Sequence, residues 1–226
     1  MIALLHIVPG AVHAAGRPEF GLAFGTAAPL YIGGEGSLGI GSHFTTHVTL
    51  GWMPAAYVDL INELSLSQQW YDQATADLID AALQNSIVLG GQLGWKPYRT
   101  HGLEFRAGYT FAALGGSSTS VDVVEAVNGG TLPPQASRPV QIDSQLHLLE
   151  VGAGWGWRVA QRAHVTASVS LVECFAAGTQ SKIATASRQE DRGAARLESQ
   201  LNDYLDGIYR NHITAPLVRL MIGSRF

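Results

Sequence analysis

Period-two alternation of apolar with small or polar residues runs through this chain to its last residue, Phe226. No other feature of the sequence constrains the fold as tightly. In "LEFRAGYTFAAL", Leu103, Phe105, Ala107, Tyr109, Phe111 and Ala113 fall on one face of an extended strand. Glu104, Arg106, Gly108, Thr110 and Ala112 fall on the other. The pattern recurs in residues 20–25, 30–41, 47–53, 87–96, 147–159, 164–171 and 216–226, which gives eight strands. Chain ends usually fray unless a sheet or a docking contact holds them. A strand that includes the terminal carboxylate therefore needs a neighbour.

The connections alternate in length. Segments of about 55–85, 116–145 and 176–214 are long, and they are separated by short turns at "SHFTT", "PYRTHG" and Gln161–Ala163. Only the hairpin through "TAAP" is short on the long-loop side. Short turns on one side and long loops on the other are the organisation of an outer-membrane barrel, with both termini on the periplasmic side.

Volume decides which face points inward. Eight strands enclose a space only just wide enough for side chains. The tryptophans and phenylalanines of the apolar face would overfill it, whereas glycine, serine, threonine and a few ions fit. The apolar face is therefore expected to look into lipid. Trp95 and Trp157 toward the short turns, Trp52 toward the long loops, and Trp155 on the same apolar face suit aromatic girdles at the two interfaces.

Composition agrees with this reading. Charged residues make up 14% of the 226 and hydrophobic ones 46%, yet no apolar run is long enough for a transmembrane helix. A net charge of −4 excludes a strongly basic nucleic-acid binder. The single cysteine, Cys174, excludes an intramolecular disulfide. Residues 1–14, "MIALLHIVPGAVHA", have an apolar stretch with Val12 and Ala14 placed as before a cleavage site, but no basic n-region. The segment reads as a truncated signal peptide, and the barrel is expected over residues 17–226.

The eight alternating strands, the loop asymmetry and the terminal "LVRLMIGSRF" resemble the small outer-membrane barrels of the OmpA/OmpX type. The resemblance implies a Gram-negative envelope protein and marks Phe226 as the signal read by the barrel-assembly machinery. It rests on pattern, covers the chain from about Phe20, and implies no activity. Unlike full-length OmpA, no peptidoglycan-binding domain is expected after the barrel.

The inward-facing charges are Glu35, Lys96, Glu104, Arg106, Glu150, Arg158, Arg219 and Arg225. Charge at membrane depth is costly unless paired or hydrated. Glu35, Glu104, Arg106, Glu150 and Arg219 are therefore expected to form one interior ion network that closes the lumen. His164, Ser168 and Ser170 form no triad, because His164 and Ser168 lie roughly 13 Å apart along a strand. His43 and His47 are four apart, a metal spacing on a helix but not across a turn and strand, so no catalytic residue, cofactor or metal is expected.

Helical insertions are expected near 57–84 and 188–210. In the first, Ser65 and Gln68 have capping-box spacing, with Trp70, Ala74, Leu78 and Ala82 along one face. In the second, Ala194, Leu197, Leu201, Leu205 and Ile208 share a face, and Asp206 and Arg210 form an i,i+4 pair. The middle loop, rich in Gly, Ser and Pro, reads as irregular. The two helical faces can close over the mouth as a cap. Alternatively they offer Trp70, Leu78, Leu197, Leu201 and Leu205 to a partner. Residues 59–80 carry Asp59, Glu63, Asp72, Asp77 and Asp80 with no Lys or Arg. That surface suits solvent, a cationic partner or lipopolysaccharide.

The expectation is thus an all-β protein, an eight-stranded antiparallel up-and-down transmembrane β-barrel with helical insertions in its extracellular loops. Its role is structural, anchoring or partner-binding in the outer membrane, among lipid and lipopolysaccharide, with a protein partner or a second copy and no nucleic acid. A narrow channel is the alternative, and a lipid-modifying enzyme the third reading.

Overall fold

The computed structural model describes residues 19–69, 72–83, 85–98, 102–130, 137–185 and 188–226. The leader-like segment 1–14 lies outside them. The elements are β1 (Phe20–Ala28), β2 (Tyr31–Ile40), β3 (Phe44–Trp52), α1 (Ala55–Ser67), α2 (Gln73–Ala82) and β4 (Asn85–Trp95). They continue with β5 (Leu103–Thr119), α3 (Ser120–Asn128), β6 (Pro139–Arg158), β7 (Ala163–Ile183), α4 (Arg188–His212) and β8 (Thr214–Arg225). Each strand pairs antiparallel with its sequence neighbours, and β8 pairs with β1, so the sheet is a closed eight-stranded barrel.

Closure reaches the terminus. Gly21 lies opposite Arg225, and the Phe226 amide donates to the Phe20 carbonyl at 2.8 Å. The last strand runs to its end because only there does it finish the seam with β1. An open edge would leave a row of unpaired backbone groups.

The alternation sorts inside from outside. Leu22, Val48, Leu93, Val151 and Ile222 point out, each 60–65% exposed. Their neighbours in sequence point in, and many are glycine. Two of these glycines are needed for space. A Cβ on Gly94 would lie 2.2 Å from the Glu104 carboxylate, and one on Gly51 would lie 2.6 Å from the Tyr31 ring.

Strands β5, β6 and β7 run well past the ends expected from sequence. On the added part of β6, Val140, Ile142 and Leu146 are buried while Gln141, Asp143 and Gln145 are exposed. Apolar residues there face in and polar ones face out, the reverse of the dress lower down. The pairing of β6 with β7 slips between His147 and Leu148, with His147 opposite Ala176 and Leu148 opposite Cys174. Phe175 is the extra residue, a β-bulge that changes which residues of β7 face the lumen.

The helices differ from the sequence expectation in three ways. Ser65 and Gln68 do not start a helix: α1 begins at Ala55, and Gln69, in the left-handed region at φ 59°, follows its end. The second helix starts instead at Gln73, capped by Asp72, whose carboxylate accepts from the Thr75 amide at 2.9 Å. The described start of the middle loop is not irregular, because β5 leads directly into α3 through a capping box of Thr119 and Asp122.

Candidate functional site

The lumen is filled in two layers of opposite chemistry. Toward the short turns it holds ions. Arg106, on β5, donates to Glu35 on β2 at 3.0 Å and to Glu104 at 3.0 Å and 3.1 Å. His47, on β3, bridges the same two carboxylates, at 2.9 Å to Glu35 and 3.1 Å to Glu104.

A second cluster sits beside it. Arg219 on β8 lies 3.0 Å from Glu150 on β6 and 3.0 Å from the Gln92 side-chain oxygen. Glu150 also accepts from Ser170 at 2.6 Å and from the Gln92 amide. Arg219 is 1% exposed and Glu150 2%. A buried charge persists only when paired and hydrogen-bonded, and both conditions hold here.

The five charges expected to make one network therefore fall into two clusters, Glu35–Glu104–Arg106 and Glu150–Arg219. His47, Gln92 and Ser170 complete them. These three lay on the polar faces of their strands, and their inward direction was the available signal. Arg225 instead reaches Glu19 at the rim, at 3.9 Å, and Arg158 is exposed. The void between the ion clusters and the short-turn rim, lined by Glu35, His47, Lys96, Arg106 and His164, measures only about 20 Å³. That is room for about one water.

Above the ions the lumen is apolar. Val88, Ala112, Leu114, Leu146, Leu148, Val172 and Leu217 point inward and are buried. This departs from an interior of small residues and ions alone. The upper barrel holds branched side chains because a helical cap closes over them, with Ile79 and Leu83 lining the same cavity.

In that cap, Leu78 of α2 and Leu201 and Leu205 of α4 are fully buried, and Leu197 is half-buried. The apolar surfaces of Leu78, Leu201 and Leu205 are occupied within the cap, so these three do not offer a face to a partner; Trp70 lies outside the described residues. Polar ties join the helices. Asn62 of α1 donates to the Ala76 carbonyl at 3.0 Å, and the Thr75 hydroxyl meets the Tyr204 hydroxyl at 2.7 Å. Glu198 of α4 accepts the Ile183 amide at 2.7 Å, pinning the helix to β7. Arg210 donates to the Asp206 carbonyl at 3.1 Å, a backbone bond where a carboxylate pair was expected. The hydrogen bonds from Thr75 hold the Asp72 carboxyl below its ordinary pKa.

The outer face is banded. Trp95 and Trp157 lie near the short turns, Trp95 stacked on Phe105 at 5.9 Å, with Trp155 two residues further along β6. Trp52 lies at the helical end of β3, 6.5 Å from Phe24. All four tryptophans are exposed. On β6 the helical-end border is His147, hydrogen-bonded to Tyr109 at 2.6 Å and flanked by Phe111 and Phe175.

No protein-family model matches the chain, and no curated protein sequence matches it. The solved structures similar to it include these three. A major outer membrane protein from Thermus thermophilus is 13% identical, with a TM-score of 0.49, over 95% of this chain and 100% of that one. CarO2 of Acinetobacter baumannii is 11% identical, with a TM-score of 0.40, over 92% of this chain and 98% of that one. CarO of Acinetobacter baumannii is 10% identical, with a TM-score of 0.41, over 91% of this chain and 97% of that one. At these values the likeness carries nothing about ligand or activity, and the functional reading stands on the geometry. Among the described residues no group of His, Cys, Asp and Glu is placed to hold a metal ion.

Proposed function

We propose that this protein is an integral outer-membrane barrel with both termini in the periplasm. In this reading it is non-catalytic, acts as a structural and anchoring element, and presents its helical loops to a partner. One observation carries the reading: an apolar exterior surrounds an interior plugged by paired ions. On β6 the band from Trp157 to His147 is ten residue steps, roughly 34 Å along the strand. At the usual tilt of roughly 40° that is about 25 Å, the height of a lipid-facing band. Beyond it Gln145, Asp143 and Gln141 point outward into water. A soluble barrel has no use for such a belt, and a pore has no use for such a plug.

The partner-facing surface is the polar outside of the cap. Asp59, Glu63, Asp72, Asp77 and Asp80 are all exposed there. This surface fits a cationic protein segment or the cation-bridged phosphates of lipopolysaccharide.

Two measurements test the reading. Folded protein in lipid vesicles should migrate differently from boiled protein in SDS, and a water-soluble monomer without that shift would refute the membrane placement. Planar bilayers should stay silent. Reproducible openings would refute the closed lumen.

A further inference from the structure

We infer that the capped upper lumen is a binding site for a small uncharged apolar molecule, a short alkyl chain or a single ring, entered sideways from the membrane. Under the cap lies a cavity of about 190 Å³. Ile79 and Leu83 form its roof, and Leu148, Val172 and Leu217 form its wall. An apolar cavity of ~150 Å³ stays dry and takes up benzene, so this one has room for a ring or a short chain. Its lining is almost wholly hydrocarbon, which selects against ions and strongly polar ligands.

The entrance is a notch in the barrel wall. The pairing of β8 with β1 stops at Val218 and Ala28, while its pairing with β7 continues to Thr214. Residues 214–217 thus have a strand on one side only. The β1–β2 hairpin is too short to cover the other, because its tip is Pro29 and Leu30. Both tip residues line the cavity, and so do Thr214 and Pro216, which point outward. A cavity lined by residues from both faces of β8 passes around that strand's free edge. Pro216 sits opposite Leu171, an exposed apolar residue of the belt. The notch therefore opens at lipid height, and Pro216 suits it because a proline contributes no N–H to an unpaired edge.

This inference rests on the membrane placement proposed above for its route of entry. The occupant's source is either the acyl chain of a neighbouring lipid or a free hydrocarbon, and the two are separable. The full chain is folded in phosphatidylcholine vesicles and irradiated with one of two diazirine probes. One is a short alkyl diazirine, and the other is a phosphatidylcholine with the diazirine in its acyl chain. Adducts are mapped by mass spectrometry.

The expected result is labelling of Leu148, Leu217, Ile79 or Leu83, which no belt contact can reach. Labelling by the free probe alone assigns a free hydrocarbon, and labelling by the lipid probe assigns an acyl chain. Ala112→Phe fills the cavity from the wall and Leu83→Trp fills it from the roof. Each should lower cavity labelling by at least about tenfold while adducts on Val151 and Leu220 persist. Adducts confined to belt residues overturn the site. Absence of adducts on the belt itself overturns the membrane placement instead.

Discussion

The two halves of the lumen solve the same problem, a narrow tube that must be filled, with opposite chemistry. Near the short turns, Glu35, His47, Glu104 and Arg106, with Gln92, Glu150 and Arg219 beside them, are locked by direction-dependent bonds. Near the helices, Val88, Leu114, Leu148, Val172 and Leu217 fill space without direction and need a lid to exclude water. The ionic half is held by pairs that reach across the lumen, Arg106 of β5 to Glu35 of β2 and Arg219 of β8 to Glu150 of β6. The apolar half depends on α1, α2 and α4. Removing one member of a bonded set strands its partner, whereas removing one methyl group only leaves a gap. The two halves should therefore fail differently.

The sharpest way to break that contrast is Arg219→Met. It leaves Glu150 buried without a cation, at a cost of about 3–5 kcal/mol. The double variant Arg219→Met with Glu150→Leu removes the stranded charge, and most of the loss should return. Urea unfolding in vesicles, followed by tryptophan fluorescence, measures both. If the double variant is as unstable as the single, shape rather than charge holds that half.

Leu205→Ala tests the other half. A fully buried leucine truncated to alanine typically costs about 2–5 kcal/mol, and the loss should be local. Protease cleavage within α1, α2 or α4 should accelerate while the SDS mobility shift of the barrel persists. Loss of the shift would mean that the cap and barrel are one cooperative unit.

What the sequence revealed follows the same division. The belt strands were legible because the proposed lipid contact demands an apolar outside and a tight lumen demands small or charged insides, so the alternation is strong. The upper extensions of β6 and β7 were not. Their alternation is intact in "PVQIDSQL", but it is inverted, with apolar residues in and polar ones out. A search for outward apolar residues passes over it. The bulge at Phe175 hid the top of β7 by changing its inward register.

Helix α3 had a legible signal, Thr119 and Asp122 at capping-box spacing before "VVEAV", masked by the surrounding glycine and proline. Five charges of the ion clusters were readable one by one from strand parity. Their grouping into two clusters was not, since it depends on which strands face each other across the lumen. The fate of Leu78, Leu201 and Leu205 was undecided by sequence because an amphipathic helix shows the same stripe whether it caps its own barrel or awaits a partner.

Between the halves lies Tyr31, 1% exposed, with its ring against Gly51. Gly51→Ala places a methyl group where only 2.6 Å separates it from that ring. Overpacking of this kind costs about 1–3 kcal/mol. The same urea titration should detect it. A neutral result would show that the border can shift to make room, and that the two fillings are less rigidly divided than their chemistry implies.

The smallest effect tests how far the cap depends on a single charge. The exposed Asp72 carboxylate accepts bonds from the Thr75 amide and hydroxyl, at 2.9 Å and 2.7 Å, and these depress its pKa. A depressed pKa means that the unfolded helix binds the proton more readily than the folded one. The capping contribution is therefore fully present above the ordinary aspartate pKa of about 3.9. It fades as pH falls through the lower folded value. Asp72→Ala should loosen α2 by about 1 kcal/mol at neutral pH. Amide hydrogen exchange in Gln73–Ala82 should rise accordingly, with the exchange of β5 and β6 unchanged. Below the folded pKa, wild type and variant should converge. A difference that persists at low pH would assign the stabilisation to the shape of the turn rather than to the charge of Asp72.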